Sequence, residues 1–238
     1  IDTINTNKLD SNIPILRHNN ELAIIQISQG CLNSCTFCAT KLARGTLKSY
    51  RIGDIKRQVE KAVNDGCKII YLTSQDNGCY GRDIKTNLPE LLDNLITIKG
   101  NFKIRIGMMN PWHLRKILPS LINSFKSDKI QKFIHIPVQS GSEKVLKDMK
   151  RIHTVEEFKQ VASALRKAFP RSIYPDSTIA TDIIVGFPTE TEEDFQETLD
   201  LIEEIKPEVL NISAYSSRKG TKASKLKQLS SEVVKQRT

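Results

Sequence analysis

No apolar run in this 238-residue chain approaches the roughly 20 residues that a helix needs to cross a bilayer, which excludes a helical membrane protein for the chain as read. No secretory leader precedes the first apolar segment, and five cysteines make an odd count, so a disulfide framework is not expected. No G-x-G-x-x-G follows the first apolar run, which counts against a dinucleotide-binding Rossmann domain. No second C-x2-C and no H-x3–5-H accompanies the cysteines, as a zinc finger would require. The chain begins with Ile1 rather than Met, from which we expect a fragment or a trimmed chain. Hydrophobic residues make up 39%, enough to build a core for one large domain or two small ones. The formal net charge is +9, from 36 Lys and Arg against 27 Asp and Glu. That balance favours a polyanionic partner such as RNA; a Lys-rich solvated surface is the competing explanation.

Cysteines are few but concentrated. Cys31, Cys35 and Cys38 fall within eight residues, in the spacing C-x3-C-x2-C, whereas Cys67 and Cys79 stand apart. Electron-transfer clusters and structural zinc sites both usually take four protein ligands. Three close thiols instead suit a [4Fe–4S] cluster whose fourth iron is left open. A zinc site completed by His18 is the alternative, and a pair of cysteines with a spare thiol is a weaker one.

The rest of the chain alternates apolar runs with helical stripes. Strands are expected at Leu22–Ser28, Lys68–Leu72, Lys103–Met109, Phe133–Val138, Thr178–Val185 and Val209–Ala214. Helical spacing appears between them: Ile55, Val59, Ala62 and Val63; Leu88 to Ile96; Leu114–Phe125, with Pro119 as a kink or split; and Glu143–Met149. Thr154 with Glu157 reads as a capping box, and Thr191 opens an acidic helix that ends before Pro207. Six apolar strands in strict βα order predict a partial (β/α)6 barrel with parallel strands. In such barrels the chemistry gathers at the C-terminal strand ends. The cysteines follow strand one, Gln75 and Asp76 strand two, Asn110 strand three and Gln139-Ser140 strand four; Gly186-Phe187-Pro188 follows strand five and Ser216-Ser217-Arg218 strand six.

Five segments carry a resemblance: Cys31–Gly45 (CLNSCTFCATKLARG), Leu72–Gly81 (LTSQDNGCYG), His135–Ser142 (HIPVQSGS), Met149–Thr154 (MKRIHT) and Thr181–Thr191 (TDIIVGFPTET). Together they resemble the radical S-adenosylmethionine (SAM) methylthiotransferases, from about residue 21 to the end. Arg105–Pro111 (RIGMMNP), Thr86–Leu91 (TNLPEL) and Val234–Thr238 (VKQRT) look like the archaeal and eukaryotic branch, which acts on threonylcarbamoyladenosine beside the anticodon of tRNA. Relatives acting on isopentenyladenosine in tRNA, or on a ribosomal protein, share the core motifs and remain alternatives. A non-catalytic zinc- or RNA-binding module is the alternative of another class.

The resemblance implies a barrel of the radical SAM type and a set of roles. Cys31, Cys35 and Cys38 would bind three irons, with SAM on the fourth. Reductive cleavage of SAM would give a 5′-deoxyadenosyl radical that takes hydrogen from adenine C2. Gln75 and Asp76 would face the SAM amino group, with a turn cap as Asp76's alternative. Gln139 and Ser140 would bond the ribose or carboxylate, Arg151 the carboxylate, and Phe37 would lie near the adenine. Asp182, in an apolar strand, would be structural or a ligand-site anchor. Lys41, Arg44, Lys48 and Arg51 form a basic run at the rim where RNA phosphates would lie.

The resemblance also implies missing parts. Residues 1–20 would be a linker from an absent N-terminal domain that carries a second [4Fe–4S] cluster. Residues 21–222 would form the radical SAM core, and 223–238 would begin the connection to an absent RNA-binding domain. A cytoplasmic monomer that meets tRNA and an electron donor such as flavodoxin or ferredoxin is expected. Two departures bear on substrate contacts: Ser217-Arg218-Lys219-Gly220-Thr221 replaces a proline-bearing turn, and Thr189 stands where many relatives have Gly.

Overall fold

The computed structural model describes residues 20–238. The expected linker and His18 lie almost wholly outside them. Eight strands form, the six expected and a short hairpin. They are β1 (Leu22–Gln26), β2 (Ser28–Gln29), β3 (Lys48–Ser49), β4 (Ile69–Thr73), β5 (Lys103–Ile106), β6 (Phe133–His135), β7 (Thr178–Val185) and β8 (Val209–Ala214). Helices fill the intervals. α1 (Thr40–Arg44) and α2 (Ile52–Asn64) precede β4, and α3 (Leu88–Ile96) precedes β5. α4 (Pro111–Leu114) and α5 (Leu118–Phe125) lead to β6, followed by α6 (Glu143–Asp148) and α7 (Val155–Ala168). α8 (Glu192–Ile205) precedes β8, and α9 (Ser231–Gln236) closes the chain.

β1, β4 and β5 pair in parallel, as do β6, β7 and β8. Backbone bonds from Gln131 N–H to Ile104 O and from Met109 N–H to His135 O join the two sheets between β5 and β6. The strand order is therefore 1-4-5-6-7-8, the partial parallel barrel expected from the βα alternation.

The period of two along each strand sorts its side chains. Ala23, Ile25, Ile70, Leu72, Ile104, Ile106, Ile134, Ile179 and Ile183 face outward and are buried. They pack on the stripes Ile55, Val59 and Ala62 of α2, Leu88, Leu91, Leu92 and Leu95 of α3, and Phe158, Val161 and Leu165 of α7. Each Val, Leu, Ile or Phe among them contributes roughly 1.5–3 kcal/mol on burial. The alternate residues Ile24, Tyr71, Arg105, Phe133, His135 and Asp182 are left on the inner face, partly open. β8 is largely exposed despite its apolar composition, with Ile212 at 45%.

Local signals explain most boundaries. Thr154 and Thr191 both form complete capping boxes, the second with Asp194. The expected helix over 114–125 is split, with the break at residues 115–117 and Pro119 within the first turn of α5, where its missing N–H costs nothing. The segment after β8 folds back on the core instead of leaving it: Ala223 is fully buried, and Arg237 pairs with the buried Glu190 at 2.6 Å.

Gly141 shows how tightly the loop after β6 meets α8. A Cβ there would sit 2.4 Å from Glu197 O and 2.5 Å from Thr198 Cα. Gly141→Ala is expected to destabilise the chain by about 2 kcal/mol through this overlap, read as a lower urea midpoint at unchanged m-value.

Candidate metal centre

The cysteine loop is a closed excursion. The β2–β3 pairing, Ser28 with Ser49 and Gln29 with Lys48, ties its two ends together. Gly30 adopts φ +76, and a Cβ there would lie 2.1 Å from Thr46 O, so only glycine lets the strands cross. The tip is held at Thr36, whose N–H donates to Met149 O at 3.0 Å and whose carbonyl accepts from Ala223 N–H at 2.9 Å. Phe37 anchors the same tip in a small cluster with Val145, Met149, Phe187 and Ala223.

Cys31, Cys35 and Cys38 line one cavity of about 130 Å³, together with Phe37, Gln75 and Arg151. Each sulfur accepts an N–H: from Asn33 to Cys31 at 3.4 Å, from Thr40 to Cys38 at 3.4 Å, and from the Arg151 guanidinium to Cys35 at 3.6 Å. Burial pushes the Cys31 thiol up to about 11, against the Asn33 N–H and with the help of the Asp76 charge. Loading a metal here therefore displaces protons.

Tetrahedral zinc at Zn–S of about 2.3 Å draws its sulfurs to within roughly 4 Å of one another. Among the described residues, the only His, Cys, Asp or Glu trio whose ligand atoms lie within 4.8 Å of one another is Asp76, Cys79 and His113. Cys31, Cys35 and Cys38 do not all lie within that distance of one another.

The buried trio is structural. Asp76 is fully buried and accepts from Gly78 N–H and Asn110 N–H at Oδ1, and from the amides of Asn33 and Asn110 at Oδ2. Its oxygens have no capacity left, and it does not line the cavity. Asp76 thus takes the turn-cap alternative: its side chain caps the turn Asn77–Cys79. The Cys79 thiol, raised by burial and by Asp76, donates to Asp76 O at 3.2 Å. Cys67 is likewise buried and donates to Asn20 O.

The other expected site residues divide. Gln75 reaches the cavity while its Oε1 accepts from Gly30 N–H at 2.7 Å. Gln139 lines the cavity at φ +79, a left-handed backbone that a non-glycine residue seldom takes. Arg151 is delivered by the end of α6, where Lys150 is left-handed at φ +59 and Arg151 N–H donates to Leu146 O. Its guanidinium also donates to Pro137 O at 2.8 Å and stacks on Trp112 at 4.6 Å. Ser140 is buried away from the cavity, against Thr198 and Ser142 N–H. Asp182 lies on the inner face beside Gln139, bonded to His135 at 2.8 Å and Asn211 at 2.7 Å. Burial opposes its ionised form, but these two bonds outweigh that and lower its pKa.

Of the basic run, Lys41 lines the cavity and donates to Leu32 O; Arg44, Lys48 and Arg51 are exposed beyond it. Residues without an expected role also line it: Asn33, Ser34, Thr40 and Met108. Asn33 carried a signal, since it lies between two of the cysteines. Trp112, His113 and His153 surround the site from behind: Trp112 stacks on His153 at 5.5 Å and on Arg151. Burial lowers His113 to about 4 and His153 to about 3, the latter helped by Arg151, so both are neutral at pH 7.

The molecule is a partial parallel barrel that presents three thiols on its C-terminal rim. The Radical SAM superfamily pattern matches residues 25–202, and the chain belongs to that family. It is 49% identical over 234 residues to a probable threonylcarbamoyladenosine tRNA methylthiotransferase of Pyrococcus horikoshii, covering 98% of this chain and 53% of that protein. It is 44% identical over 227 residues to the human threonylcarbamoyladenosine tRNA methylthiotransferase, covering 95% of this chain and 38% of that protein. The chain thus spans about half the length of the archaeal relative. Among solved structures, a radical SAM methyltransferase from Kitasatospora setae with cobalamin and a [4Fe–4S] cluster superposes at TM-score 0.69, with 13% identity, over 85% of this chain and 38% of that one. Coproporphyrinogen III oxidase from Escherichia coli superposes at 0.61, with 16% identity, over 89% and 49%. At such identities the superpositions speak for the fold.

Two predictions follow from this geometry. Asp76→Asn puts a donor where four donors already converge, and is expected to cost about 3 kcal/mol and to lower iron retention after reconstitution, measured by urea unfolding and metal analysis. For the imidazoles, the unfolded chain takes up protons near pH 6.5 and the folded chain only near 4 and 3. Between those values the unfolded state binds more protons, so stability is full above pH 6.5 and falls on acidification. The loss at pH 5 should reach about 2 kcal/mol per imidazole, and replacing either by an uncharged isostere should flatten the profile.

Proposed function

We propose that this chain is the SAM-cleaving core of a tRNA methylthiotransferase that converts N6-threonylcarbamoyladenosine, next to the anticodon, to its 2-methylthio derivative. The observation that carries this reading is the cavity at the C-terminal rim, where three cysteines each accept an N–H. The high similarity to relatives named for that activity supports the substrate. When bound, a [4Fe–4S] cluster and SAM supply one-electron cleavage of the sulfonium, giving methionine and a 5′-deoxyadenosyl radical.

The chain's own residues hold and shape that chemistry. Cys31, Cys35 and Cys38 would hold the cluster, and the N–H groups of Asn33, Thr40 and Arg151 would stabilise their sulfurs as thiolates. Gln75 and Gln139 present amides to SAM, and Phe37 forms an apolar wall for its adenine. Arg151 offers a fixed cation for the SAM carboxylate, held in place by Trp112 and Pro137 O. Ser140 braces the Gln139 turn, and Asp182 anchors the wall below it. Asp76 acts through the loop, fixing Asn33 and Asn110 from beneath.

Lys41, Arg44, Lys48 and Arg51 make a basic margin suited to tRNA phosphates. Residues 21–222 form the catalytic core in this reading; residues 1–20 and 223–238 lead toward an N-terminal domain with a second cluster and a C-terminal RNA-binding domain. An external one-electron donor, flavodoxin or ferredoxin, and a cytoplasmic monomer belong to the same reading. Among the described residues no helix is long and apolar enough to cross a membrane. Cys67 and Cys79 are buried and hydrogen-bonded, so this chain alone is expected to cleave SAM without methylthiolating RNA.

Anaerobic reconstitution tests the reading. About four irons per chain are expected, with a reduced-cluster EPR signal that shifts when SAM is added. Cys35→Ala should abolish the signal and 5′-deoxyadenosine formation together. Zinc in place of iron, or a signal indifferent to SAM, would sink the mechanism.

A further inference from the structure

After β8 the chain carries Arg218, Lys219, Lys222, Lys225 and Lys227, and no Asp or Glu occurs between Glu208 and Glu232. These cations are exposed, and among the described residues none of them pairs with a carboxylate. The turn that displays them is held from below. Arg218 O accepts from Thr221 N–H at 3.1 Å and from Thr221 Oγ1 at 2.7 Å, and Ser224 Oγ donates to Thr221 O at 2.7 Å. Thr221 and Ala223 are buried, and Lys222 between them is turned outward. Ala223 N–H bonds Thr36 O, and Thr36 lies between Cys35 and Cys38, so the basic turn sits against the tip of the cysteine loop. The same turn meets α1, since a Cβ at Gly220 would lie 3.3 Å from Leu42 Cδ1. Lys41 lines the cavity; Leu42, about 100° further round the helix, does not, and is 66% exposed. An apolar side chain thus stands in the open beside unpaired cations, four residues after Cys38.

We propose that Leu42 and the basic turn from Arg218 to Lys227 form the docking face for an acidic one-electron carrier protein, through which the cluster on Cys31, Cys35 and Cys38 is reduced. The inference rests on the SAM-cleaving reading above and adds where its electron enters. The face lies on the loop that carries the thiols, whereas Gln75, Met108, Asn110, Gln139 and Arg151 build the rest of the cavity wall. A donor seated there is separated from the sulfurs by the loop alone, and leaves the wall built by the strand ends to SAM and substrate. Unpaired cations steer an acidic partner and fix its orientation. An RNA backbone would use the cations but has nothing to set against an exposed leucine; a protein face with an apolar centre and an acidic rim uses both. Redox encounters bury roughly under 1,200 Å² in total, which one turn and one short helix can supply. The carrier's anionic flavin hydroquinone gives up one electron and becomes the neutral semiquinone; the cluster is reduced by that electron, and no proton moves.

The test uses full-length protein and a fluorescein-labelled flavodoxin. Anisotropy measures binding of the oxidised flavodoxin. On reconstituted protein, absorbance bleaching then gives the rate of cluster reduction by photoreduced flavodoxin and, separately, by dithionite. Wild-type protein should bind flavodoxin with a Kd that rises with salt. Lys219→Glu combined with Lys222→Glu should weaken binding at least about tenfold, and lower the flavodoxin-to-dithionite rate ratio by a similar factor at limiting donor. Leu42→Ser should weaken binding about fivefold with the salt dependence unchanged. Because the ratio is taken within each variant, a general loss of folded protein or of cluster cancels. Binding and ratio both unchanged on charge reversal overturn the assignment. Charge reversal that weakens binding of a labelled anticodon stem-loop RNA but spares flavodoxin gives the face to RNA and overturns it too. Wild-type protein that binds no flavodoxin, while dithionite reduces its cluster to a SAM-sensitive form, overturns the docking face and leaves the SAM-cleaving reading standing. A protein that holds no reducible cluster overturns both.

Discussion

A single buried carboxylate organises the rim. Asp76 gathers donors from the cysteine loop through Asn33, from its own turn through Gly78, and from the end of β5 through Asn110. His113 adds a fourth element, with Nε2 at 3.4 Å from the same carboxylate and 3.2 Å from Asn33 Oδ1. Burying an anion is costly unless every lone pair is answered. Because they are answered, the ends of β1, β4 and β5 have one arrangement in which the carboxylate is satisfied. An irregular loop that must present three thiols at fixed separation inherits its precision from that arrangement.

The electrostatics of the site follow from the same economy of donors. Cys31 is held as a thiol by burial, yet its sulfur already accepts an N–H, as do the other two. A metal bound there would have to displace the Cys31 proton. Arg151 is the fixed cation among these groups. Stacking on Trp112 and a bond to Pro137 O leave it little freedom beside the Cys35 sulfur. The tail after β8 completes the enclosure, since Ala223 N–H closes on Thr36 and Arg237 closes on Glu190.

Much of this was legible in the residues. Thr178–Val185 and Val209–Ala214 appear as strands over the expected spans, and the two capping boxes open their helices as expected, because apolar period and cap chemistry are local properties. The exposure of β8 was not legible, since an apolar run looks the same at the centre of a sheet and at its edge. Nor was the β2–β3 clasp, for two-residue strands carry no period at all. Asp76 stood in the right motif, but whether its oxygens faced a ligand or its own neighbours depended on which donors the fold brought within 3.2 Å. Ser140 and Gln139 are adjacent, and the left-handed backbone of Gln139 sends one into the cavity and the other into packing against α8.

By itself the sequence determined the βα alternation, the positions of the three thiols and their assignment to one end of a parallel barrel, because period, spacing and chain direction are properties of the chain in order. Only the tertiary structure decided that the three thiols line one cavity, that Asp76 looks inward, and that Arg105 stands between Tyr71 and Phe133 with no acidic partner among the described residues. Those facts join residues from different strands and loops. They are set by which donors, rings and carbonyls the closed sheet brings into contact, and no local pattern of residues carries that information.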